Sequence, residues 1–118
     1  MKLNHLNLTV ANVTETSDFL HKYFGLHRAS GGPSSDGFAL VFDDDNLVLT
    51  LMKGSQNEEI KYPSSFHIGF VQESEEKVNE IYQRLQQDGF EVKPPRHFHG
   101  SWTFYLRSPG GFLIEVLA

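Results

Sequence analysis

Cysteine is absent from this 118-residue chain. That excludes disulfides, thiolate catalysis and cysteine-ligated zinc, so any bound metal must be held by nitrogen and oxygen. Long apolar runs are missing too. Met1-Lys2-Leu3 leads straight into an alternating segment, with no stretch long enough for a signal peptide or a membrane span, and the expected location is the cytoplasm. Basic residues are few and scattered. Ten Lys and Arg against 15 Asp and Glu give a formal net charge of −5, and no cationic stripe interleaves with aromatics, so neither nucleic acid nor a membrane is an expected partner. The length suits one domain, residues 1–118, that buries roughly two-thirds of the surface its unfolded chain exposes.

What the chain does contain is a strand-then-helix pattern written twice. In the first copy Leu6, Leu8 and Val10 point to one face while His5, Asn7 and Thr9 point to the other. Residues 12–24 read as a helix, with Phe19, Leu20, Tyr23 and Phe24 as its apolar stripe and Gly25 as its stop. Strands are expected at 27–30, 38–43 and 47–53, separated by Gly31-Gly32-Pro33 and by Asp43-Asp44-Asp45-Asn46. The acidic run reads as a solvated turn, because the spacing and closing Glu of a calcium loop are missing. Residues 58–63 link the halves. The second copy sets Phe66, Ile68 and Phe70 against His67, Gly69 and Val71, then continues into a helix at 73–88 carrying Val78, Ile81, Tyr82 and Leu85 and closing on Gly89. Strands at 90–93, 101–107 and 111–117 follow, with Pro94-Pro95 ending one and Pro109-Gly110-Gly111 turning between the last two. Each half therefore reads β-α-β-β-β, an α+β fold with module one at about 1–57 and module two at about 64–118.

His5 and His67 hold equivalent places in the two copies, and the final strand carries one carboxylate, Glu115, on the side away from Phe112, Ile114 and Val116. An ionised carboxylate among apolar neighbours is costly unless paired, hydrogen-bonded or metal-bound. Taken singly, each histidine is as readily a hydrogen-bonded structural residue, and Glu115 an edge-strand charge that discourages aggregation. Taken together, two imidazoles and a carboxylate on inward-facing strand positions suit a 2-His-1-carboxylate site for a divalent ion, Fe, Mn, Ni or Zn in preference to calcium.

The segment Ser17-Asp18-Phe19-Leu20-His21-Lys22-Tyr23-Phe24-Gly25-Leu26 resembles the helix and Gly-Leu exit of the vicinal oxygen chelate superfamily. Ser108-Pro109-Gly110-Gly111-Phe112-Leu113-Ile114-Glu115 resembles that family's Pro-x-Gly turn leading to a metal-binding Glu. This superfamily includes glyoxalase I, bleomycin-resistance proteins, fosfomycin-modifying enzymes and extradiol dioxygenases. The resemblance spans essentially the whole chain. It implies two βαβββ modules forming a U-shaped mixed sheet, a half-barrel, with helices on the convex face, a small-molecule ligand and a homodimer. It implies that His5, His67 and Glu115 are the metal ligands. Where glyoxalase I enzymes carry a further Glu on the fourth strand, this chain has Thr50, which speaks against the two-glutamate scheme.

Thr103-Phe104-Tyr105-Leu106-Arg107-Ser108-Pro109 resembles the extradiol dioxygenase signature, in which a Tyr lies ten positions before the ligating Glu, the spacing of Tyr105 to Glu115. Tyr105 is the candidate catalytic residue, its phenol a hydrogen-bond donor to a substrate oxygen. The acid/base His those enzymes carry near the end of the fourth strand is missing, since no His occurs between His27 and His67. Thr50, His97, His99 and Arg107 are candidate substrate contacts, Arg107 as the cation expected to face inward from the second module. The expected function is a metal-dependent enzyme acting on a small oxygenated substrate by chelation, through ring-opening dioxygenation, isomerisation or addition to an electrophile. The alternative is a metal-free small-molecule or antibiotic binding protein of the bleomycin-resistance type.

Overall fold

Two helices and two four-stranded sheets account for the regular structure of the computed structural model, which describes residues 1–29 and 35–118. The expected Gly31-Gly32-Pro33 loop, and Ser30 at the end of one expected strand, lie outside the described residues. The chain divides into two compact units, Met1–Tyr62 with Pro109–Gly111, and Pro63–Ser108 with Phe112–Ala118.

In the first unit the order is β1 (His5–Val10), α1 (Val13–Phe24), β2 (His27–Arg28), β3 (Phe38–Phe42) and β4 (Val48–Lys53). The sheet runs β1-β4-β3-β2, with β1 parallel to β4 and the other neighbours antiparallel. Alternation decides which residues meet the helix: Leu8, Val10, Val41, Leu49 and Leu51 are buried with Val13, Phe19, Leu20 and Tyr23 of α1. Each such side chain contributes about 1.5–3 kcal/mol by leaving water. The start of α1 is secured from a distance. Asn12 precedes the helix without capping it, and its side-chain oxygen instead accepts from Thr16 Oγ1 at 2.9 Å. The amide of Thr14 donates to Asp36 Oδ1 at 2.8 Å, and this bond holds the Asp36 carboxyl below its ordinary range. Gly25 ends the helix with φ 68°, a left-handed turn that a side chain resists.

The second unit repeats the plan with β5 (His67–Val71), α2 (Glu75–Gln87), β6 (Arg96–Phe98), β7 (Ser101–Arg107) and β8 (Leu113–Leu117), in sheet order β5-β8-β7-β6. Here β5 is parallel to β8, while β6, β7 and β8 pair antiparallel. The Ser74 hydroxyl caps α2 by accepting from the Lys77 amide at 3.3 Å. Val78, Ile81 and Leu85 of α2 are buried, as are Phe104, Leu106, Ile114 and Val116 of the sheet and Phe112 just before β8. Both units are thus βαβββ modules of an α+β fold, as the periodicities predict.

One strand differs. Residues 90–93 form no strand, and the second strand of the second module lies beyond Pro94-Pro95 at Arg96–Phe98. The physical reason is the turn. Phe98 pairs with Ser101, and the two residues between them, His99 at φ 51° and Gly100 at φ 83°, both adopt the left-handed conformation of a type I′ hairpin. That turn fixes the register, so the residues able to ladder with β7 are those just before it. Among the described residues no helix is long and apolar enough to cross a membrane.

Candidate metal centre

The face of the second sheet opposite α2 carries most of the predicted chemistry. Register places His67 beside Leu113, Gly69 beside Glu115 and Glu115 beside Tyr105, so His67, Glu115 and Tyr105 share one face on adjacent strands. Their side chains meet. His67 Nε2 lies 3.4 Å from Glu115 Oε2, with the imidazole 41% and the carboxylate 14% exposed. The rings of His67 and Tyr105 stand edge-on with centroids 5.5 Å apart. Gly69 keeps the space open, since a Cβ there would stand 3.9 Å from Glu115 Oε2.

The protonation of His67 follows from its other nitrogen. His67 Nδ1 is 2.9 Å from the carbonyl oxygen of Ser65, which can only accept, so the hydrogen in that contact belongs to Nδ1. A neutral ring then leaves an unprotonated Nε2 facing a carboxylate oxygen, two electron-rich atoms that repel unless a positive charge joins them. A proton on Nε2 satisfies the pair, and so does a metal cation. Two donors at about 2.0–2.1 Å from one tetrahedral ion stand about 3.4 Å apart, so the separation fits shared ligation without rearrangement. The Nδ1–H to carbonyl contact is also the kind of outer support that fixes a ligating imidazole.

Glu115 is held from behind. Thr103, 1% exposed, donates its hydroxyl to Glu115 Oε1 at 3.0 Å and stands 2.9 Å from the carbonyl oxygen of Val116, a second acceptor for the same proton. That leaves Oε2 as the oxygen facing His67. Tyr105 answers the same carboxylate. Burial first, then its hydrogen bond to Glu115 and the negative charge there, push its phenol above the ordinary range, with Arg96 pulling weakly the other way. Tyr105 therefore remains a proton donor at neutral pH.

The other predicted residues are placed as follows. His5, in the first unit, is exposed, and its Nδ1 lies 3.0 Å from Asn4 Oδ1. It shares a sheet face with Asn7 and Thr50, which pair directly, and with Leu40 opposite Thr50. Thr50 thus holds in the first sheet the register position that Glu115 holds in the second, and Leu40 the position of Tyr105. Arg107 lies opposite Leu113 on the His67 side. His97 pairs with Trp102 and stacks edge-on against its ring at 4.9 Å, and the Trp102 indole N–H donates to Asn79 of α2, so His97 belongs to the helix-covered side. His99 sits in the hairpin turn, its ring against Phe98. Among the described residues no group of three or more His, Asp or Glu is close enough to hold one ion, and the structure brings together the pair His67 and Glu115. The first unit also holds an open cavity of about 570 Å³ lined by residues such as Ala11, Lys53, Glu58 and Ile60, none of them a predicted site residue.

Two features of this face depend on register and could not be read from the sequence. Thr103 bonds Glu115. Arg96 pairs with Thr103 and so faces the same side, which makes Arg107 one of two arginines there.

Residues 2–116 match the model of the Glyoxalase/Bleomycin resistance protein/Dioxygenase superfamily, and the chain belongs to that superfamily. Fosfomycin resistance protein FosX of Listeria monocytogenes is 32% identical over 100 residues, 80% of this chain and 70% of that protein. Its crystal structure covers 100% of this chain and 93% of its own, with 25% identity and a TM-score of 0.77. A structure described as a possible glyoxalase from Bacillus cereus is 52% identical, covers 100% of this chain and 99% of its own, and gives a TM-score of 0.89. Lactoylglutathione lyase from Agrobacterium tumefaciens, at 18% identity and a TM-score of 0.74 over 98% of this chain and 92% of its own, shares the fold.

Proposed function

We propose that this protein is a divalent-metal-dependent enzyme acting on a small oxygenated substrate, with His67 and Glu115 holding the ion and His5 completing the set. The observation that carries the reading is the 3.4 Å approach of His67 Nε2 to Glu115 Oε2, with Nδ1 already committed to the Ser65 carbonyl. The donor set of imidazole nitrogen and carboxylate oxygen suits Fe, Mn, Ni or Zn. When bound, such an ion supplies Lewis-acid stabilisation of negative charge developing on a substrate oxygen. The protein's own part is played by Tyr105, whose protonated phenol donates to that oxygen from the neighbouring strand, and by Thr103, which keeps Glu115 turned the right way. Thr50, in place of a second carboxylate, leaves a wall of mixed polar and apolar character around His5 rather than a further ligand. The FosX relative makes fosfomycin the first compound to test as substrate.

The test is the metal content of the purified, untagged protein beside His67→Ala. Stoichiometric Fe, Mn, Ni or Zn in the wild type and its loss in the variant is the expected result. If the wild type takes up none of these metals after reconstitution near neutral pH, the enzyme reading fails and a metal-free binding protein takes its place. We also propose a homodimer, and a mixture of His5→Ala and His67→Ala chains shows whether the copies share sites. Restored metal binding in the mixture means that His5 and His67 of one site come from different chains, and no restoration means that they come from one chain.

A further inference from the structure

We infer that the open cavity of about 570 Å³ in the first unit is a second small-molecule site, one that takes a free α-amino acid with an apolar side chain. Its volume falls within the about 300–1,000 Å³ usual for small-molecule pockets. The cavity lies at the carboxyl ends of the parallel pair β1 and β4, where Ala11 follows the one strand and Lys53 ends the other. Lys53 pairs in register with Val10 on the α1 side of the sheet, whereas His5 and Thr50 face the other way. The site is therefore separate from the proposed metal and substrate residues of the first unit.

The wall of the cavity is built before any ligand arrives. Ser55 and Glu58 close a turn twice: the Glu58 amide donates to the Ser55 carbonyl at 2.9 Å, and the Ser55 amide donates to Glu58 Oε2 at 2.7 Å. Asn57, at φ 69°, supplies the left-handed third position of a type II turn. The chain on either side is tied to β1, Gly54 by its amide to the Val10 carbonyl at 3.4 Å and Tyr62 by its hydroxyl to the Thr9 carbonyl at 2.6 Å. A wall held in this way loses little freedom when a ligand binds.

Opposite charges and apolar surface meet in the cavity. Lys53 Nζ, half exposed, spends one N–H on Asp36 Oδ2 at 3.5 Å and keeps two for a ligand carboxylate. Glu58 gives Oε2 to the turn, and among the described residues no donor reaches Oε1, which is left for a ligand ammonium. Ala11 and Ile60 supply the apolar surface. The anionic and apolar groups are close neighbours, since a Cβ on Gly54 would stand 2.5 Å from Ile60 Cδ1 and 3.1 Å from Glu58 Oε2. A simple anion would be repelled by Glu58 and a simple cation by Lys53, so a molecule carrying both charges and an apolar side chain matches the site.

The experiment titrates the full, metal-free chain with L-leucine, L-leucinamide and N-acetyl-L-leucine while backbone amide shifts are followed by NMR. Saturable L-leucine binding with shifts centred on the residues from Lys53 to Ile60 is the expected result. Removing either ligand charge weakens it about tenfold or more, as do Lys53→Met and Glu58→Gln, while His67→Ala binds as the wild type does. Glu58→Gln keeps an oxygen for the Ser55 amide, and circular dichroism shows that each variant is folded. The inference is overturned if L-leucine gives no saturable shifts, if both derivatives bind as it does, or if both cavity variants match the wild type. Dependence on one charge alone assigns the cavity to a simple anion or cation and sinks the amino-acid reading, and loss of binding in His67→Ala places the ligand on the other sheet. Because the protein is metal-free throughout, the outcome is independent of whether His67 and Glu115 hold an ion.

Discussion

Thr103→Val replaces one buried hydroxyl by a methyl of nearly the same shape, so it tests the support of Glu115 with little change in packing. The hydroxyl stands 3.0 Å from Glu115 Oε1 and 2.9 Å from the Val116 carbonyl, and one proton serves both. A hydrogen bond to a charged group is worth about 1.5–3 kcal/mol, which corresponds to about a 10- to 150-fold change in a binding constant. Sharing the proton with Val116 moves the expectation to the low end, about tenfold, within the range of about 10–100-fold typical for groups that support metal ligands. The assay is competition with a chromophoric chelator, giving zinc and manganese affinities for wild type, Thr103→Val and Thr103→Ser. Thr103→Ser keeps the donor and loses about 0.8 kcal/mol of buried methyl, so its affinity stays within about threefold of wild type even though its melting temperature falls. Circular dichroism confirms that each variant is folded. If folded Thr103→Val binds metal within twofold of wild type, the hydroxyl does not position Glu115 and the reasoning fails.

Two further outcomes are expected. In metal-free protein, Tyr105 titrates above the usual tyrosine range of about 10, so its contribution to stability is intact below about pH 10 and is lost as the pH climbs through the raised value. Absorbance at 295 nm, compared with Tyr105→Phe and Tyr62→Phe, reads this directly, because burial raises Tyr62 as well; a Tyr105 that ionises below pH 10 contradicts the environment described. Gly69→Ala is expected to fold, since the new Cβ meets Leu117 Cδ2 at 3.6 Å and Glu115 Oε2 at 3.9 Å in ordinary contact. Its methyl stands beside Glu115 Oε2, the oxygen proposed to hold the ion, so metal affinity falls while the melting temperature stays near wild type, and unchanged affinity would show that this side of Glu115 is not used.

How much of this was legible in the sequence depends on the range of the interactions. Alternation alone set His67 and Glu115 on the sides of their strands away from the apolar layers, and β7 lies at the predicted residues 101–107. The doubled βαβββ plan was legible for the same reason, because period and turn residues are local signals, and the superfamily was legible from the resemblance carried by residues 17–26 and 108–115. The strand at Arg96–Phe98 was hidden. Its residues are mostly polar, Pro94-Pro95 looks like a terminator, and the hairpin turn uses His99-Gly100 rather than the more recognisable Asn-Gly. Missing that strand meant missing the face of Arg96. The Asp36 bond to the first turn of α1 was equally out of reach, since it joins residues far apart in sequence.

The two donors that approach each other in the second sheet are anchored to different depths. Glu115 stands on β8, which is laddered to β5 on one side and β7 on the other, whereas His67 stands on β5, at the end of the strand order. A strand held on both sides opens for amide exchange far less readily than one held on a single side. Within its sheet, the carboxylate is therefore the fixed point and the imidazole the compliant one. Any adjustment that admits or releases a ligand costs least when His67 moves and Glu115 stays.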